Sequence, residues 1–252
     1  MNDISVKRYS LTRTDTQNII RKLINKKSLR RIKRYGVYEL KGSSSDSDVA
    51  RTLECEVFNQ YFGNDAHLMS REYGEYEDFS DFIVVIDQKK LLAVGVVRLV
   101  SHSNKSLKTL VDTTSDASPW KLTHKKIQEL HDLNYDKTWD IATIAVKRHY
   151  RNKTARRLIR SLLLHSIHNH ALSNDAEHWI ALLDDIHLNT FRELGIPVES
   201  LAGSSSKPYL GSNATTPIIV NVHDVASGIK KKSRITHRLL IKGRFLRRFA
   251  SF

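Results

Sequence analysis

The stretch Trp139–His165, WDIATIAVKRHYRNKTARRLIRSLLLH, constrains this chain more than any other. Its apolar run Ile141–Val146 reads as a buried strand. The next six residues, Lys147–Asn152, include the cations Lys147, Arg148 and Arg151 and the imidazole of His149. An amphipathic helix follows, with Ala155, Leu158, Ile159, Leu162 and Leu163 spaced by threes and fours along one face. Arg156, Arg157 and Arg160 stay off that face. The first N–H groups of a helix lack intrahelical partners, and its dipole favours negative charge there. A strand feeding a basic turn at such an end is therefore an anion site, and it implies an α/β architecture.

The rest of the composition narrows the setting. A hydrophobic fraction of 40% in 252 residues supports a real core. Cys55 is the single cysteine, so an internal disulfide framework is excluded and a reducing compartment is expected. The opening MNDISVKRYS lacks the apolar core of a signal peptide. No apolar run approaches the ~20 residues a membrane helix needs. The expectation is a soluble, cytoplasmic protein. A formal charge of +14 calls for an acidic partner: nucleic acid, an anionic membrane, a phosphorylated cofactor or an acidic carrier protein. Zinc-finger cysteines, an aromatic RNA-binding motif and a clear helix-turn-helix are missing, so nucleic acid is not expected.

In chain order, residues 1–48 read as a basic polar N-terminal extension with a helix over Thr16–Ile32 and a hinge at Gly42–Asp48, GSSSDSD. Asp46 or Asp48 then caps a helix running to Tyr61. Phe82–Ile86 and Leu91–Val100 are β-branched runs either side of the polar turn Asp87–Lys90, the strongest hairpin signal in the chain. Ser101–Lys137 is a polar connection with one helix, Thr123–Leu133. After the central strand and helix come a strand at His178–Leu183, a short helix carrying Phe191 and Leu194, and a strand at Thr216–Val222 with Pro217 at its start. The order predicts a mixed α/β (α+β) domain over residues 49–224. Residues 225–252 form a strongly basic tail.

This order, with YRNKTARRLIRSLL, resembles the GCN5-related N-acyltransferase (GNAT) fold, whose mixed, mostly antiparallel central sheet is flanked by helices. That family's donor loop reads Arg/Gln-x-x-Gly-x-Gly/Ala. Arg151 matches its first position, while Thr154 and Arg156 stand where the glycines would be. Side chains there narrow the approach of a pyrophosphate to the backbone. A closer resemblance is to the branch of acyl-homoserine-lactone (autoinducer) synthases and long-chain N-acyl amino acid synthases. Gly95-Val96-Val97-Arg98-Leu99 is similar to its Gly-x-x-Arg-Leu strand, and Trp139-Asp140-Ile141-Ala142-Thr143 to its Trp-Glu-x-Ser-Arg strand. Phe79–Val84 and NTFRELGIPVESLAG match further segments of the branch, so the likeness spans roughly Val49–Val222. It implies an acyltransferase that takes a long acyl chain from the phosphopantetheine thioester of acyl carrier protein or CoA to the amine of an amino acid or related molecule. No tightly bound cofactor is implied. A non-enzymatic binding protein of the same fold and a plain CoA-dependent acetyltransferase are the alternatives.

The resemblance assigns the site. Asp140 stands where the branch has Glu and becomes the candidate base, against the plainer reading of a surface residue at the start of a strand. Asp184 and Asp185 are further acids, more ordinarily a turn and helix cap. Arg98, among Val and Leu, needs a carboxylate: an ion pair with Asp81 or Asp140, or the acceptor substrate. Backbone amides at Ile144, Ala145 and Val146 are candidate oxyanion donors, and Arg148, Arg151, Lys153, Thr154 and Arg156 are the donor-phosphate candidates. His165 and His168 share a helix face, but His170 does not and no carboxylate follows at ligand spacing, so no metal site is expected. Cys55 reads as core. Lys230-Lys231-Lys232 with Arg244, Arg247 and Arg248 suits a membrane surface or acidic protein, or else a solvated tail.

Overall fold

A computed structural model describes residues 3–32, 34–103, 106–150 and 153–244. The first half runs α1 (Asp3–Lys7), α2 (Arg13–Ile24), β1 (Arg30–Ile32), β2 (Tyr35–Lys41), α3 (Asp48–Phe62), α4 (Ala66–Tyr73), β3 (Ser80–Asp87) and β4 (Leu92–Ser101). Then come α5 (Lys108–Thr114), α6 (His124–His131), β5 (Thr138–Val146), α7 (Lys153–Ser173), β6 (His178–Asp184) and α8 (Asp185–Leu194). The chain continues through β7 (Glu199–Ser200), β8 (Lys207–Tyr209), β9 (Ser212–Asn221), α9 (Val222–Lys232) and α10 (Arg234–Leu240). Two compact units result. One takes residues 1–99, 143–167 and 243–252, the other residues 100–142 and 168–242. The expected fold class is met: a mixed α/β fold with a largely antiparallel sheet flanked by helices.

In the first unit the strands are ordered β1-β2-β3-β4, and the end of β5 lies next to β4. β2 pairs antiparallel with β3 along its whole length, from Tyr35 opposite Asp87 to Lys41 opposite Asp81. Every residue of β3 is buried, as expected of a strand with neighbours on both edges and both faces covered. α3 lays Val49, Ala50, Leu53 and Val57 into a core with Phe82, Val84, Ile86, Val96 and Ala145. Each Val, Leu, Ile and Phe among them contributes about 1.5–3 kcal/mol by leaving water. Gly63, left-handed at φ 72°, ends α3. Gly95 of β4 serves a different need, because a Cβ there would come within 2.5 Å of Ile159 Cγ2 on α7. The glycine lets the long helix lie close on the strand.

Several expectations are corrected here. Residues 1–48 are not an extension: Ile20 and Leu23 of α2 are fully buried, and β1 and β2 extend the sheet. The helix expected over Thr16–Ile32 ends at Ile24, and Arg30–Ile32 is strand. The expected hinge is a fixed turn. Gly42 N–H donates to the Ser80 carbonyl at 2.7 Å, Ser47 is buried, and a Cβ on Gly42 would collide with the Glu77 backbone. Ser44 Oγ caps the turn by accepting from Asp46 N–H, and Asp46 and Asp48 pair with Lys26 and Arg51, so the segment is no flexible linker.

The second unit carries the start of β5 parallel to β6, with Thr138, Trp139 and Asp140 opposite His178, Trp179 and Ile180. α7 makes the crossover between these parallel strands. β6 pairs antiparallel with β9 from His178 opposite Asn221 to Asp184 opposite Thr215, and β7 and β8 pair with β9. β9 begins at Ser212, so Pro217 lies inside the strand rather than at its start. On the sequence axis it falls between the residues paired to β8 and those paired to β7. Leu107, Leu110, Ile127, Leu133, Ile180, Leu201 and Ile219 form the core. The polar connection after β4 holds two helices rather than one, because Leu107 and Leu110 bury a face the polar sequence disguised. The basic tail is also structured as far as it is described: Val225, Ile229 and Leu240 are buried in α9 and α10. Among the described residues no helix is long and apolar enough to cross a membrane.

Candidate active site

The central strand and helix form as the periodicity requires, and the turn between them is held from below. Lys147 N–H donates to the Val94 carbonyl at 3.0 Å, and the Tyr150 hydroxyl donates to Asp87 Oδ2 at 2.6 Å. Asp87, fully buried at the end of β3, also accepts from Arg34 Nε at 2.7 Å and from Lys90 N–H at 3.2 Å. Burial alone would raise the Asp87 pKa, but hydrogen bonds from Arg34, Tyr150 and Lys90 outweigh it and hold the carboxyl below its ordinary range. Lys147 Nζ reaches Glu56 Oε1 at 2.5 Å. With its base fixed, the turn exposes Arg148 and His149, and the first turns of α7 expose Thr154, Arg156 and Arg157. Arg148, Arg156 and Arg157 have no carboxylate partner among the described residues. Arg151 and the Lys153 side chain lie outside the described residues. Of the proposed oxyanion donors, Ala145 and Val146 are buried and Ile144 is half-buried.

Beneath the same strand sits a buried ionic cluster. Arg98, with no exposed surface, places Nη2 2.7 Å from Glu54 Oε2 and Nε 3.1 Å from Glu54 Oε1. Nη1 lies 3.3 Å from Glu77 Oε1, and Nη2 also donates to the Tyr9 hydroxyl at 3.0 Å. The guanidinium is 4.4 Å from the Tyr73 ring centroid and 4.6 Å from that of Phe82. Arg51, equally buried, donates through Nε to Glu77 Oε2 at 2.6 Å and through Nη1 to Asp48 Oδ1 at 2.7 Å. Thr143 on β5 hydrogen-bonds to Glu54, and Tyr9 to Glu77. For Glu77, burial works upward on its pKa while Arg98 and Arg51 pull it down, and the net is downward. Arg98 therefore has its charge matched within the fold, by Glu54 and Glu77 rather than by the Asp81 or Asp140 that the sequence suggested. Nothing in the sequence paired these groups across 44 and 21 residues. The usable signal was the need itself, since a guanidinium inside a Val-rich strand demands acids.

Asp140 belongs to the second unit. It is fully buried, so the reading as a surface residue is set aside. Oδ2 accepts from Thr109 N–H at 2.5 Å and Oδ1 from Thr109 Oγ1 at 2.9 Å. The preceding Leu107 offers no side-chain cap, so Asp140 closes the N-terminal turn of α5 from outside the helix. Burial first, and Asp112 as well, push its pKa up to about 7 despite the two bonds from Thr109. That is the range a base needs at neutral pH. Beside it, Trp139 meets the His170 ring edge-on at 4.5 Å. Asp184 caps α8, accepting from His187 N–H at 2.8 Å, and Asp185 follows in the first turn. His165 lies beside Arg30, with Nε2 2.5 Å from Nη1. Burial, with Glu54 adding, pushes the Cys55 thiol up to about 11, in keeping with a core cysteine.

No protein-family model matches the chain, and no curated protein matches its sequence. Solved structures do match in fold. FeeM, an N-acyl amino acid synthase from uncultured soil microbes, aligns with a TM-score of 0.58 at 11% identity, over 79% of this chain and 97% of that one. The acyl-homoserine-lactone synthase LasI aligns at 0.49 and 10% identity, over 75% of this chain and 90% of its own. BjaI, a CoA-dependent synthase of the same kind, aligns at 0.46 and 15%, over 81% and 86%. The chain shares the fold of FeeM.

Proposed function

We propose that this protein is an N-acyltransferase that moves a long acyl group from a phosphopantetheine thioester to the amine of an amino acid or related molecule. The observation that carries the reading is the turn after β5. It is anchored by Tyr150 and Lys147, and it presents Arg148, Arg156 and Arg157 to solvent with no acidic partner among the described residues. Cations at a helix start oppose the dipole unless an anion joins them, so the arrangement suits the phosphates of a donor. The fold shared with FeeM supports acyl transfer as the chemistry and an amino acid as the acceptor. Acyl carrier protein is the preferred donor over CoA, because its acidic surface matches a chain of charge +14 and because Thr154 and Arg156 crowd the backbone approach of a pyrophosphate.

In this mechanism the free amine attacks the thioester carbonyl. A C–N bond forms, the C–S bond breaks, and the attacking nitrogen gives up a second proton to the sulfur, so that pantetheine leaves as a thiol. Asp140 takes the proton the ammonium must lose, its raised pKa suiting the task. Main-chain amides of β5 near Ile144 to Val146 stabilise the oxyanion. Arg98 supports the strand from beneath through its link to Glu54 and Thr143.

Mass spectrometry of small molecules and carrier protein co-purified from an expression host tests this reading. N-acyl amino acids or an acyl-pantetheine conjugate are the expected finding. Asp140→Asn keeps an acceptor for Thr109 N–H and should lower turnover by about a hundredfold or more. Arg148→Ala and Arg156→Ala should each raise the donor KM by about tenfold and change kcat less. A folded protein that neither binds nor consumes acyl-pantetheine donors would overturn the proposal.

A further inference from the structure

The end of the second unit carries a surface that acyl transfer does not use. From Val225 to Phe252 the sequence contains nine Lys and Arg and no Asp or Glu, and α9 carries one exposed acid before that stretch, Asp224 in its first turn. Within the described part, Lys230, Lys231 and Lys232 are exposed at the end of α9, and Arg234, Arg238 and Lys242 are exposed on and just after α10. Helical spacing puts Arg234, Ile235 and Arg238 within about 100° of one another on α10. Lys242 follows at i+8 from Arg234. In the midst of these charges stands Ile235, 72% exposed, the most exposed of the large apolar side chains described. The opposite side of the pair is buried through Val222, Val225, Ile229 and Leu240. The His237 imidazole is held below its ordinary range, by burial first and then by Lys242 and Lys230. Lys230 at the end of α9 and Lys242 after α10 therefore both lie near His237.

We infer that the outer face of α9 and α10 docks this protein on an anionic lipid bilayer, with Lys230, Lys231, Lys232, Arg234, Arg238 and Lys242 facing the headgroups and Ile235 entering the acyl region. Charge complementarity requires an anionic partner, and Ile235 selects among such partners. Nucleic acid or an acidic protein would satisfy the six cations but would leave a solvated β-branched side chain at the centre with little to bury against. A bilayer offers phosphate and hydrocarbon within a few ångströms of each other, the arrangement that interfacial helices with mixed basic and apolar faces use. The sequence beyond Arg244 repeats the same alternation, Phe245-Leu246-Arg247-Arg248-Phe249. The inference stands on this surface alone and does not depend on the acyltransfer reading.

Co-sedimentation of the full chain with vesicles of phosphatidylcholine, with and without phosphatidylglycerol, tests it. Binding is expected only with the anionic lipid and should weaken steeply with salt. Replacing Arg234, Arg238 and Lys242 together by Gln should lower the partition coefficient by about a hundredfold, since each cation near the surface contributes a factor of several. Ile235→Ser should lower it by about tenfold while leaving the salt dependence unchanged. The control replaces three exposed cations of α2, Arg13, Arg21 and Lys22, by Gln. It should have little effect, because the loss of charge is the same but the face is different. Absence of anionic-vesicle binding would overturn the inference, as would equal losses in the control. Binding that ignores Ile235→Ser while duplex DNA or a polyacidic protein competes fully would overturn it too. All the substituted residues are exposed, and circular dichroism with a melting curve verifies the fold of each variant.

Discussion

Asp140 and Arg98 were paired by the sequence as the working residues of one site, and their surroundings separate them. Asp140 is an acid whose native pKa is raised to about 7, above the ~3.9 of an unfolded chain. Between about pH 4 and pH 7 the folded state therefore binds more protons than the unfolded state at this group, so stability falls as pH rises through that window. Asn cannot ionise. Asp140→Asn should accordingly gain stability relative to the wild type on going from about pH 4 to about pH 8, by about 3 kcal/mol or more, in denaturant titrations at the two pH values. A gap that stays constant with pH would show that Asp140 ionises normally. Arg98 calls for another experiment, since it is charged throughout and matched by Glu54 and Glu77. Arg98→Ala should cost about 3–5 kcal/mol by leaving two buried carboxylates short of their cation. Arg98→Met combined with Glu54→Gln should recover much of that loss, because it removes the charge from both sides of the pair. If the single variant keeps full stability and loses turnover alone, the guanidinium belongs to substrate rather than to the fold.

At the scale of elements, the turn after β5 is positioned by residues that lie far from it in sequence. Asp87 joins Tyr150 to Arg34 at the end of β3. Asp87→Asn should weaken both bonds, lower stability by about 2–4 kcal/mol and loosen the basic turn. On the acyltransfer reading, steady-state kinetics should then show donor KM rising more than kcat falls. A change in kcat alone would mean that the turn does not position the donor. The elements themselves were legible where a single period dominated. β5 and α7 follow from a short β-branched run and from spacing by threes and fours, and Gly95 is explained by the helix lying against it. β1 and β2 were not legible. Arg30, Arg31, Lys33 and Arg34 mask a strand pair whose buried members are Ile32, Tyr35, Val37, Tyr38 and Leu40, so the composition reads as a basic polar extension. The helix α5 was lost for a related reason: its core face consists of Leu107 and Leu110 set among threonines and lysine. Its N-terminal turn is closed by Asp140, thirty-one residues further on.

For the whole molecule, element order carried further than any single motif. The order helix, hairpin, strand, helix, strand pointed to the fold that the match to FeeM bears out, at an identity of 11% where sequence comparison finds no relative. The turn after β5 lacks the glycines and the Trp139-Asp140 strand departs from the pattern of the resemblance, so what is shared with FeeM is the fold. Charge was legible as a total and not as a distribution. The value of +14 reveals neither the cluster of Arg51, Arg98, Glu54 and Glu77 under β5 nor the outer face of α9 and α10.

The buried cluster also joins parts of the chain that are made at different times. Tyr9, Arg51, Glu54, Glu77 and Arg98 lie within the first ninety-nine residues, but Thr143, which completes Glu54, comes only after a whole segment of the other unit has been made. On the ribosome the ion pairs of the cluster are complete in sequence once Arg98 has been made, while the far edge of β4 stays open until β5, Thr138–Val146, follows. Until then β4, apolar but for Arg98 and Ser101, has β3 on one edge and no strand on the other. Arg98, buried on that same strand, is an inward-pointing charge, one of the features by which an open strand edge resists pairing with another copy.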